Sequence, residues 1–533
     1  MSEAVMPPPI VRPSMDAKPH IGTIIVFVGL LAAGVLFTLY GIVADMNASG
    51  GEPLAVGAFI LLGISLLIAL GFEFVNGFHD TANAVATVIY THSLPANFAV
   101  IWSGAWNLIG VLTSSGAVAF SIVTLLPVEL ILQVGSNAGF AMIFALLIAA
   151  ILWNLGTWYL GLPASSSHTL IGSVIGVGMA NQLLAAAGSG TSGVDWGQAL
   201  GVFRALLFSP VMGFVLSALL LLVLKAAIRQ PKLYSAPDTS HPPPLWIRGL
   251  LVLTCTGVSF AHGSNDGQKG MGLIMLILIG AMPTAYALNR ALPDSATPGF
   301  VQTMHSVGHV LESHGSKAKM TEAQAKAAVT AAIRDRRFAS PDINTAIGTL
   351  AEDIAGQVEE RGAIRKVPAA AVQNVRNEMY LTSEAVRLMP KSGFSAEEQG
   401  ELKKLKTELD SSTRFIPTWV KVAVAIALGL GTMVGWKRIV ITVGEKIGKT
   451  HLSYGQGASA ELVAAGTILA ADMYGLPVST THILSSGVAG TMAANGSGLQ
   501  WSTLRSIALA WVLTLPMAAL ISALLYALLR AFL

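Results

Sequence analysis

The chain has 533 residues, 53% of them hydrophobic and 11% charged, with a formal net charge of +3. Soluble domains carry about 25% charged residues, so a large soluble enzyme is excluded and a polytopic membrane protein is expected. So small a net charge makes no case for nucleic acid, and the one cysteine, Cys255, excludes an intramolecular disulfide and any cysteine-based metal site.

Residues 1–20 hold five prolines and no apolar core, which reads as a disordered lead. The run 21–43 is long enough to span and too long for a secretory signal, so it is expected to be an uncleaved first helix. Long apolar segments follow at 54–75, 97–125, 139–160, 200–228, 245–260, 271–288, 417–436 and 505–532. Shorter segments broken by Gly or Ser fall at 77–90, 163–180, 458–474 and 479–495. Short, interrupted segments in corresponding places of two halves point to a transporter's binding site. Counting them gives roughly ten to twelve crossings.

The short connections carry the orientation signal. The 229–248 connection has Arg229, Lys232 and Arg248 against Asp238, and the 437–449 connection has Lys437, Arg438, Lys446 and Lys449 against Glu445. The 45–53 and 181–199 connections hold only acids among their charged residues. The basic connections are expected in the cytoplasm. Two half-spans would join the polar stretch 289–415 to the basic 229–248 connection, which puts that stretch in the cytoplasm as well. It is rich in alanine and charge, with helices expected near 321–335, 341–360, 367–389 and 395–410 and a capped start at Thr321. His305, His309 and His314 lie close in sequence there and read as a solvated flank.

Two motifs recur. Phe74-Val75-Asn76-Gly77-Phe78-His79-Asp80 and Phe260-Ala261-His262-Gly263-Ser264-Asn265-Asp266 share F-x-x-G-x-x-D, which maps Asn76 to His262, Asp80 to Asp266 and Asn83 to Lys269. On a helix, Asn76, Asp80 and Asn83 share one face. Gly161-Leu162-Pro163-Ala164-Ser165-Ser166-Ser167-His168 and Gly475-Leu476-Pro477-Val478-Ser479-Thr480-Thr481-His482 share G-L-P-x-S-[ST]-[ST]-H without a gap. Asp80 to His168 spans 88 residues and Asp266 to His482 spans 216; the excess of 128 nearly equals the 127-residue stretch 289–415. The chain therefore reads as a duplicated membrane unit with a soluble helical domain inserted in its second copy.

The chemistry of the motifs suits transport. Gly ends one half-helix, Pro prevents read-through and Ser or Thr caps the next, so each G-L-P element presents free N–H groups and hydroxyls at one point, an anion site. The bland alternative is hydroxyl bonding between membrane helices. A buried carboxylate such as Asp80 or Asp266 must pair, bind a cation or take a proton. Asn76, Asn83 and Gln268 add hard oxygen donors apt for an ion. The alternative there is a hydrogen-bond network that braces a helix break. His79, His168, His262 and His482 are candidate proton carriers, with His168 and His482 the better placed because they close the two anion elements.

These residues, together with Asn83-Ala84, Gly267-Gln268-Lys269-Gly270 and Gly444-Glu445-Lys446-Ile447-Gly448, resemble the inorganic phosphate transporter (Pit) family, above all its bacterial low-affinity members. The likeness covers nearly all of the chain outside the N-terminal lead and the middle of the insertion. It implies an all-α, polytopic inner-membrane symporter with two inverted-topology repeats, broken or re-entrant helices and no enzymatic activity. It also implies proton coupling and carriage of neutral metal–phosphate complexes. On that reading the units are 1–20, a first repeat at 21–180, a connecting span at 181–248, and a second repeat at 249–288 and 416–533 around the insertion at 289–415.

The phosphate-binding set is then Ser165, Ser166, Ser167, Thr169, Gln268, Ser479, Thr480 and Thr481. The cation and proton set is Asp80, Asp266, Asn76, Asn83, Asn265, Lys269, His168 and His482. Asp80 and Asp266 would hold a divalent metal that arrives with the phosphate. No resident cofactor is expected; the partners are phosphate, protons, divalent cations and lipid, with a homodimer left open. Sodium-coupled relatives carry an N-D-x-x-N-like motif in both repeats, whereas this chain has Lys269 where the first repeat has Asn83. The expectation is that this ammonium replaces one bound cation; the alternative is a lysine snorkelling to an interface. Rival readings are a sulfate carrier, an intramembrane hydrolase built on Ser166, His168 and Asp80, and a phosphate sensor. The hydrolase is disfavoured because the nucleophile motif is duplicated and no nucleophile elbow is present.

Overall fold

A computed structural model describes residues 13, 15, 20–50, 54–80, 82–126, 128–132, 134–185, 193–237, 242–316 and 318–532. Most of the N-terminal lead lies outside the described residues. Among those described, the elements are helices and no strand is present. The first half comprises α1 (Ile21–Ser49), α2 (Val56–Asp80), α3 (Ala82–Tyr90), α4 (Ala96–Thr113), α5 (Ala117–Val123), α6 (Val128–Leu132), α7 (Asn137–Tyr159), α8 (Ser166–Leu183) and α9 (Trp196–Ala227). Then come α10 (Leu245–Ala281), α11 (Pro283–Tyr286) and the insertion helices α12 (Thr297–Ser313), α13 (Glu322–Asp335), α14 (Pro341–Arg361), α15 (Ala369–Leu388) and α16 (Ala396–Thr413). The chain closes with α17 (Thr418–Thr432), α18 (Lys437–Ile441), α19 (Tyr454–Met473), α20 (Thr480–Asn495) and α21 (Trp501–Phe532).

Seven of these stretches are long and apolar enough to cross a membrane, with α2 and α3 together forming one of them over Val56–Tyr90. That is fewer than the apolar runs suggested, for two reasons. The segment 77–90 continues α2 rather than standing alone, and 245–260 and 271–288 are one 37-residue helix, α10. The segment 97–125 errs the other way: it stops at Thr113 and restarts at Ala117 beyond Gly116, whose φ of +89° suits glycine.

The packing is that of two halves that exchange partners. α2 packs on α17 and α4 on α10; α8 packs on α21 and α20 on α9; α7 packs on α2 and α19 on α10. The shared glycine and phenylalanine of F-x-x-G-x-x-D mark these crossings. A Cβ on Gly77 would fall 2.2 Å from the Leu428 carbonyl oxygen, and one on Gly431 would fall 2.1 Å from that of Phe74. The same contact recurs between Gly263 and the Asn107 carbonyl at 2.2 Å, and between Gly110 and the Phe260 carbonyl at 2.2 Å. Small residues let membrane helices approach to backbone contact where no hydrophobic drive separates helix from lipid. The glycine of the motif is therefore a packing residue and its aspartate a site residue.

The insertion forms helices where alanine and charge alternate with apolar positions. α13 starts with the expected cap: the Thr321 hydroxyl accepts from Gln324 N and the Gln324 side chain returns to Thr321 N. His305 faces Glu352, His309 faces Glu312 and His314 faces Glu398, each a separate contact. The insertion docks on the membrane unit: the buried Arg376 of α15 donates from Nη1 to the Ile131 carbonyl at 3.1 Å, and Arg336, at the end of α13, pairs with Asp195 ahead of α9.

The expected link between the insertion and the basic 229–248 connection fails. α10 runs unbroken from one to the other, about 55 Å at 1.5 Å per residue, against a hydrocarbon core of about 30 Å. The two polar regions lie at its opposite ends. The insertion shares its end with Asp195 and with Asp45, which accepts from Tyr286 and Trp419. The 229–248 connection shares the other end with α20, whose Asn495 donates to the Tyr234 carbonyl.

Candidate functional site

The two G-L-P elements are built alike. Gly161 and Gly475 take φ of +66° and +64°, which ends the preceding helix in the left-handed region. Ser165 caps α8 by accepting from His168 N at 3.2 Å, and Ser479 caps α20 by accepting from His482 N at 3.1 Å. The residues after each cap, Ser166 with Ser167 and Thr480 with Thr481, are fully buried. The two helix N-termini meet: Ser167 Oγ donates to the Val478 carbonyl at 2.7 Å.

The acids of α2 and α10 reach this meeting point. Ser166 Oγ lies 2.5 Å from Asp80 Oδ2 and 3.4 Å from Asp266 Oδ2, so one hydroxyl bridges the acids of both halves. Thr481 Oγ1 donates to Asp80 Oδ1 at 2.9 Å, and Thr480 Oγ1 lies 3.4 Å from Asp266 Oδ1. Each acid therefore takes a hydroxyl from the other half's tip. The Asn83 amide donates to Thr481 Oγ1 at 3.0 Å and to the Asp80 carbonyl at 2.9 Å. Lys269 Nζ is 2.7 Å from Asp266 Oδ2 and 2.5 Å from Ser167 Oγ, fully buried in both contacts. Lys269 does not snorkel; it is an internal counter-charge.

His79 sits between Asp80 Oδ1 at 2.9 Å and Thr157 Oγ1 at 3.0 Å. His262 sits between Asn107 Oδ1 at 2.7 Å and Asp266 Oδ2 at 3.5 Å. The His168 and His482 rings lie 4.4 Å apart between centroids, and Trp511 stacks on His482 at 4.0 Å. His168 Nδ1 and His482 Nε2 are buried without a hydrogen-bond partner, as are the carbonyl oxygens of Asn76 and Asn83. Asp80, His262 and Asp266 each offer a ligand atom within 4.8 Å of the others. Two carboxylates and an imidazole suit a divalent cation, with Lys269 as the competitor for Asp266.

Three predicted residues stand aside from the cluster. Gln268 accepts from Val118 N at 2.9 Å and donates to the Ser264 carbonyl and to Asp472, so its amide is committed. Asn265 brackets the second tip through the Leu476 carbonyl at 3.1 Å and Val478 N at 3.5 Å. Thr169 is engaged by Asn154 and its own turn. Gln268 and Asn265 thus hold the second tip in place.

Sequence reasoning missed three acids. Glu73 is fully buried one turn before Asn76, whose amide donates to it at 3.3 Å, and its Oε1 has no partner. The signal was there: Glu73 precedes Asp80 by seven residues, two helical turns, and shares its face. Glu461 is buried under Thr254 Oγ1 at 2.5 Å, and Asp472 accepts from Ser264 and Gln268. Neither repeats in the other half, so pattern matching passes them by.

The model of the phosphate transporter family matches residues 76–522. The chain belongs to that family. The low-affinity inorganic phosphate transporter PitA of Escherichia coli strain K12 is 41% identical over 496 residues, 89% of this chain and 98% of the relative. PitB of the same organism is 39% identical over 492 residues, with the same coverage. The low-affinity inorganic phosphate transporter of Buchnera aphidicola from Schizaphis graminum is 38% identical over 482 residues, 88% of this chain and 95% of the relative. This member of the phosphate transporter family is a transporter, and the serine–histidine–aspartate reading as a hydrolase falls with that: Ser166 lies against Asp80, with no imidazole between them as a base.

Proposed function

We propose that the chain imports inorganic phosphate across the inner membrane as a secondary active transporter coupled to protons, by alternating access around the Asp80–Asp266 cluster. The observation that carries this reading is the direction of the hydroxyls. Ser166, Thr480 and Thr481, on helix N-termini apt for an oxyanion, are turned onto the carboxylates of Asp80 and Asp266. A carboxylate and a phosphate oxygen compete for the same donors. When phosphate takes the hydroxyls, Asp80 is left buried without them and requires a proton or a cation. Substrate and cation then bind together because neither state alone is balanced.

The adjacent His168 and His482 rings serve this reading as one proton site, since two imidazolium ions at that spacing repel. The exchange of partners between halves suits inverted-topology repeats that rock about the shared tips. The basic 229–248 and 437–449 connections belong in the cytoplasm by the positive-inside rule. The insertion stands at the other end of α10.

A second reading concerns cargo. The Asp80, His262 and Asp266 ligand atoms favour a divalent metal that travels with phosphate as a neutral complex, which needs less compensating charge in the core. Uptake of labelled phosphate into proteoliposomes, with proton gradient, sodium and divalent metals varied one at a time, tests both. Uptake that follows the proton gradient supports coupling, and uptake stimulated by magnesium or manganese supports the complex. Uptake of sulfate in preference to phosphate, or no dependence on the proton gradient, overturns the assignment.

A further inference from the structure

A cavity of about 530 Å³ lies where the insertion meets the second G-L-P element. At about 30 Å³ per water it holds a hydrated oxyanion with room to spare. Four parts of the chain wall it: the 115–124 segment beyond α4, Gln198 of α9, the turn Met473–Gly475 at the end of α19, and the insertion through Arg387, Asp410 and Arg414. Its floor is Gly475, packed on Ala117 and four residues ahead of the Ser479 cap. Behind that floor stand Asp472, Ser264 and Gln268, which latch the second tip to α10.

The lining is chemically one-sided. Arg387 and Arg414 stand against Asp410 alone, and Ser115, Ser121 and Thr124 add hydroxyls. Arg387 is held by Glu384 at 2.7 Å. Arg414 is less engaged: it lines the cavity, and its Nε is 3.2 Å from Asp410 Oδ1. Asp410 is the more heavily shared group, taking Ser383 Oγ at 2.6 Å and Lys406 as well. A guanidinium that lines a cavity beside hydroxyls is an oxyanion site by geometry and charge.

We propose that this cavity is an anteroom that binds inorganic phosphate through Arg414 before it reaches the Ser479–Thr481 tip, and that the insertion exists in part to supply that arginine. The inference rests on the phosphate-transport reading above and adds a second, weaker phosphate site on the insertion's side of the membrane. It gives the insertion a role in capture: a basic, walled cleft raises the local concentration of an anion and its rate of entry.

The test uses full-length protein reconstituted with known orientation, and half-saturating phosphate is read separately from each side during phosphate–phosphate exchange. Arg414→Gln is expected to raise the insertion-side value about three- to tenfold, the scale of one partly screened charge near a surface, with the other side within about twofold. Asp410→Asn, which releases Arg414, is expected to lower the insertion-side value. A shift of equal size on both sides, no shift, or a rise with Asp410→Asn overturns the proposal. Should Arg414→Gln not assemble, added salt in the wild type decides: an insertion-side value that climbs alone supports the anteroom, and equal climbs refute it. Wild-type protein that exchanges no phosphate would sink the transport reading itself, an outcome distinct from all of these. Exchange in lipid without phosphate headgroups separates the sources: an Arg414→Gln shift that vanishes there would mean the arginine serves a lipid headgroup, and the proposal falls.

Discussion

Lys269→Asn puts back at this position the residue type that the first half carries at Asn83. The ammonium of Lys269 contacts Asp266 Oδ2 at 2.7 Å and Ser167 Oγ at 2.5 Å, with all three groups buried. Removing one partner of a buried ion pair leaves the other uncompensated, at a cost of about 3–5 kcal/mol. At about 1.4 kcal/mol per tenfold, that is roughly two to three and a half decades in any equilibrium that needs Asp266 ionised. The variant is therefore expected to melt lower and to transport phosphate poorly in sodium-free medium. Sodium offers a mobile charge where the fixed one stood, so it is expected to restore part of both. Lys269→Arg, which keeps the charge, is expected to stay indifferent to sodium. The assays are thermal melting and proteoliposome uptake across a sodium series. Uptake by Lys269→Asn that stays at the wild-type level and ignores sodium would refute the idea that this lysine takes a cation's place. Loss without any sodium response would reduce Lys269 to a brace.

Ser166→Ala removes the hydroxyl shared by Asp80 and Asp266. A hydrogen bond to a charged group is worth about 1.5–3 kcal/mol, so half-saturating phosphate is expected to rise roughly tenfold to a hundredfold, while Ser165→Ala, which touches only the α8 cap, costs about 1 kcal/mol of stability; uptake and melting curves check the pair. Arg376→Ala leaves the Ile131 carbonyl unsatisfied at the insertion's dock and is expected to cost about 1–3 kcal/mol there, seen as faster hydrogen exchange across α15 and α6. Glu378 in α15 is pushed up to about 8, first by burial, while Lys326 holds Glu322 down at about 2. The folded insertion thus keeps a proton on Glu378 that the unfolded chain has released. That contribution is full below about pH 4.5, is lost as pH rises through about 8, and does not involve Glu322 across that window. Protection of α15 in hydrogen exchange is expected to fall over this range, and Glu378→Gln is expected to flatten the fall.

The cluster was legible in the sequence because its motifs are duplicated. Ser165 and Ser479 cap their helices as the G-L-P spacing required, and Asp80 and Asp266 share Ser166, as a common cradle demanded. Lys269, read as a counter-charge from a single departure between repeats, lies against Asp266. What failed were inferences about continuity. Gly263, Gly267 and Gly270 look like breaks in a helix, yet α10 runs through them, because each glycine has a neighbour pressed on it: Asn107, Val111 and Glu73. Small side chains in an apolar run mean either a break or a close approach, and only the partner distinguishes them. That one ambiguity produced the two half-spans expected between the insertion and the 229–248 connection, where the structure has one helix. Asp472 escaped for the opposite reason: it is a single acid whose meaning comes from a residue distant in sequence, Ser264.

The two acids are equivalent in the motif but not in the fold. Asp266 has a fixed cation on its own helix, three residues away, and keeps it whatever happens at the tips. Asp80 has no such partner: its oxygens are held by Ser166, Thr481 and His79, of which two belong to the helix tips that an oxyanion would claim. When those two hydroxyls turn to phosphate, Asp80 loses both of its hydroxyl partners, whereas Asp266 loses Ser166 and still has Lys269. The duplicated site therefore divides its labour, with the second half supplying a permanent charge and the first half an acid whose balance depends on occupancy. An acid of that kind ties cation uptake to substrate binding, since a buried carboxylate stripped of its donors must be neutralised before the site can close over it. On the proposed reading, coupling falls to Asp80, the acid of the motif pair that has no lysine on its own helix.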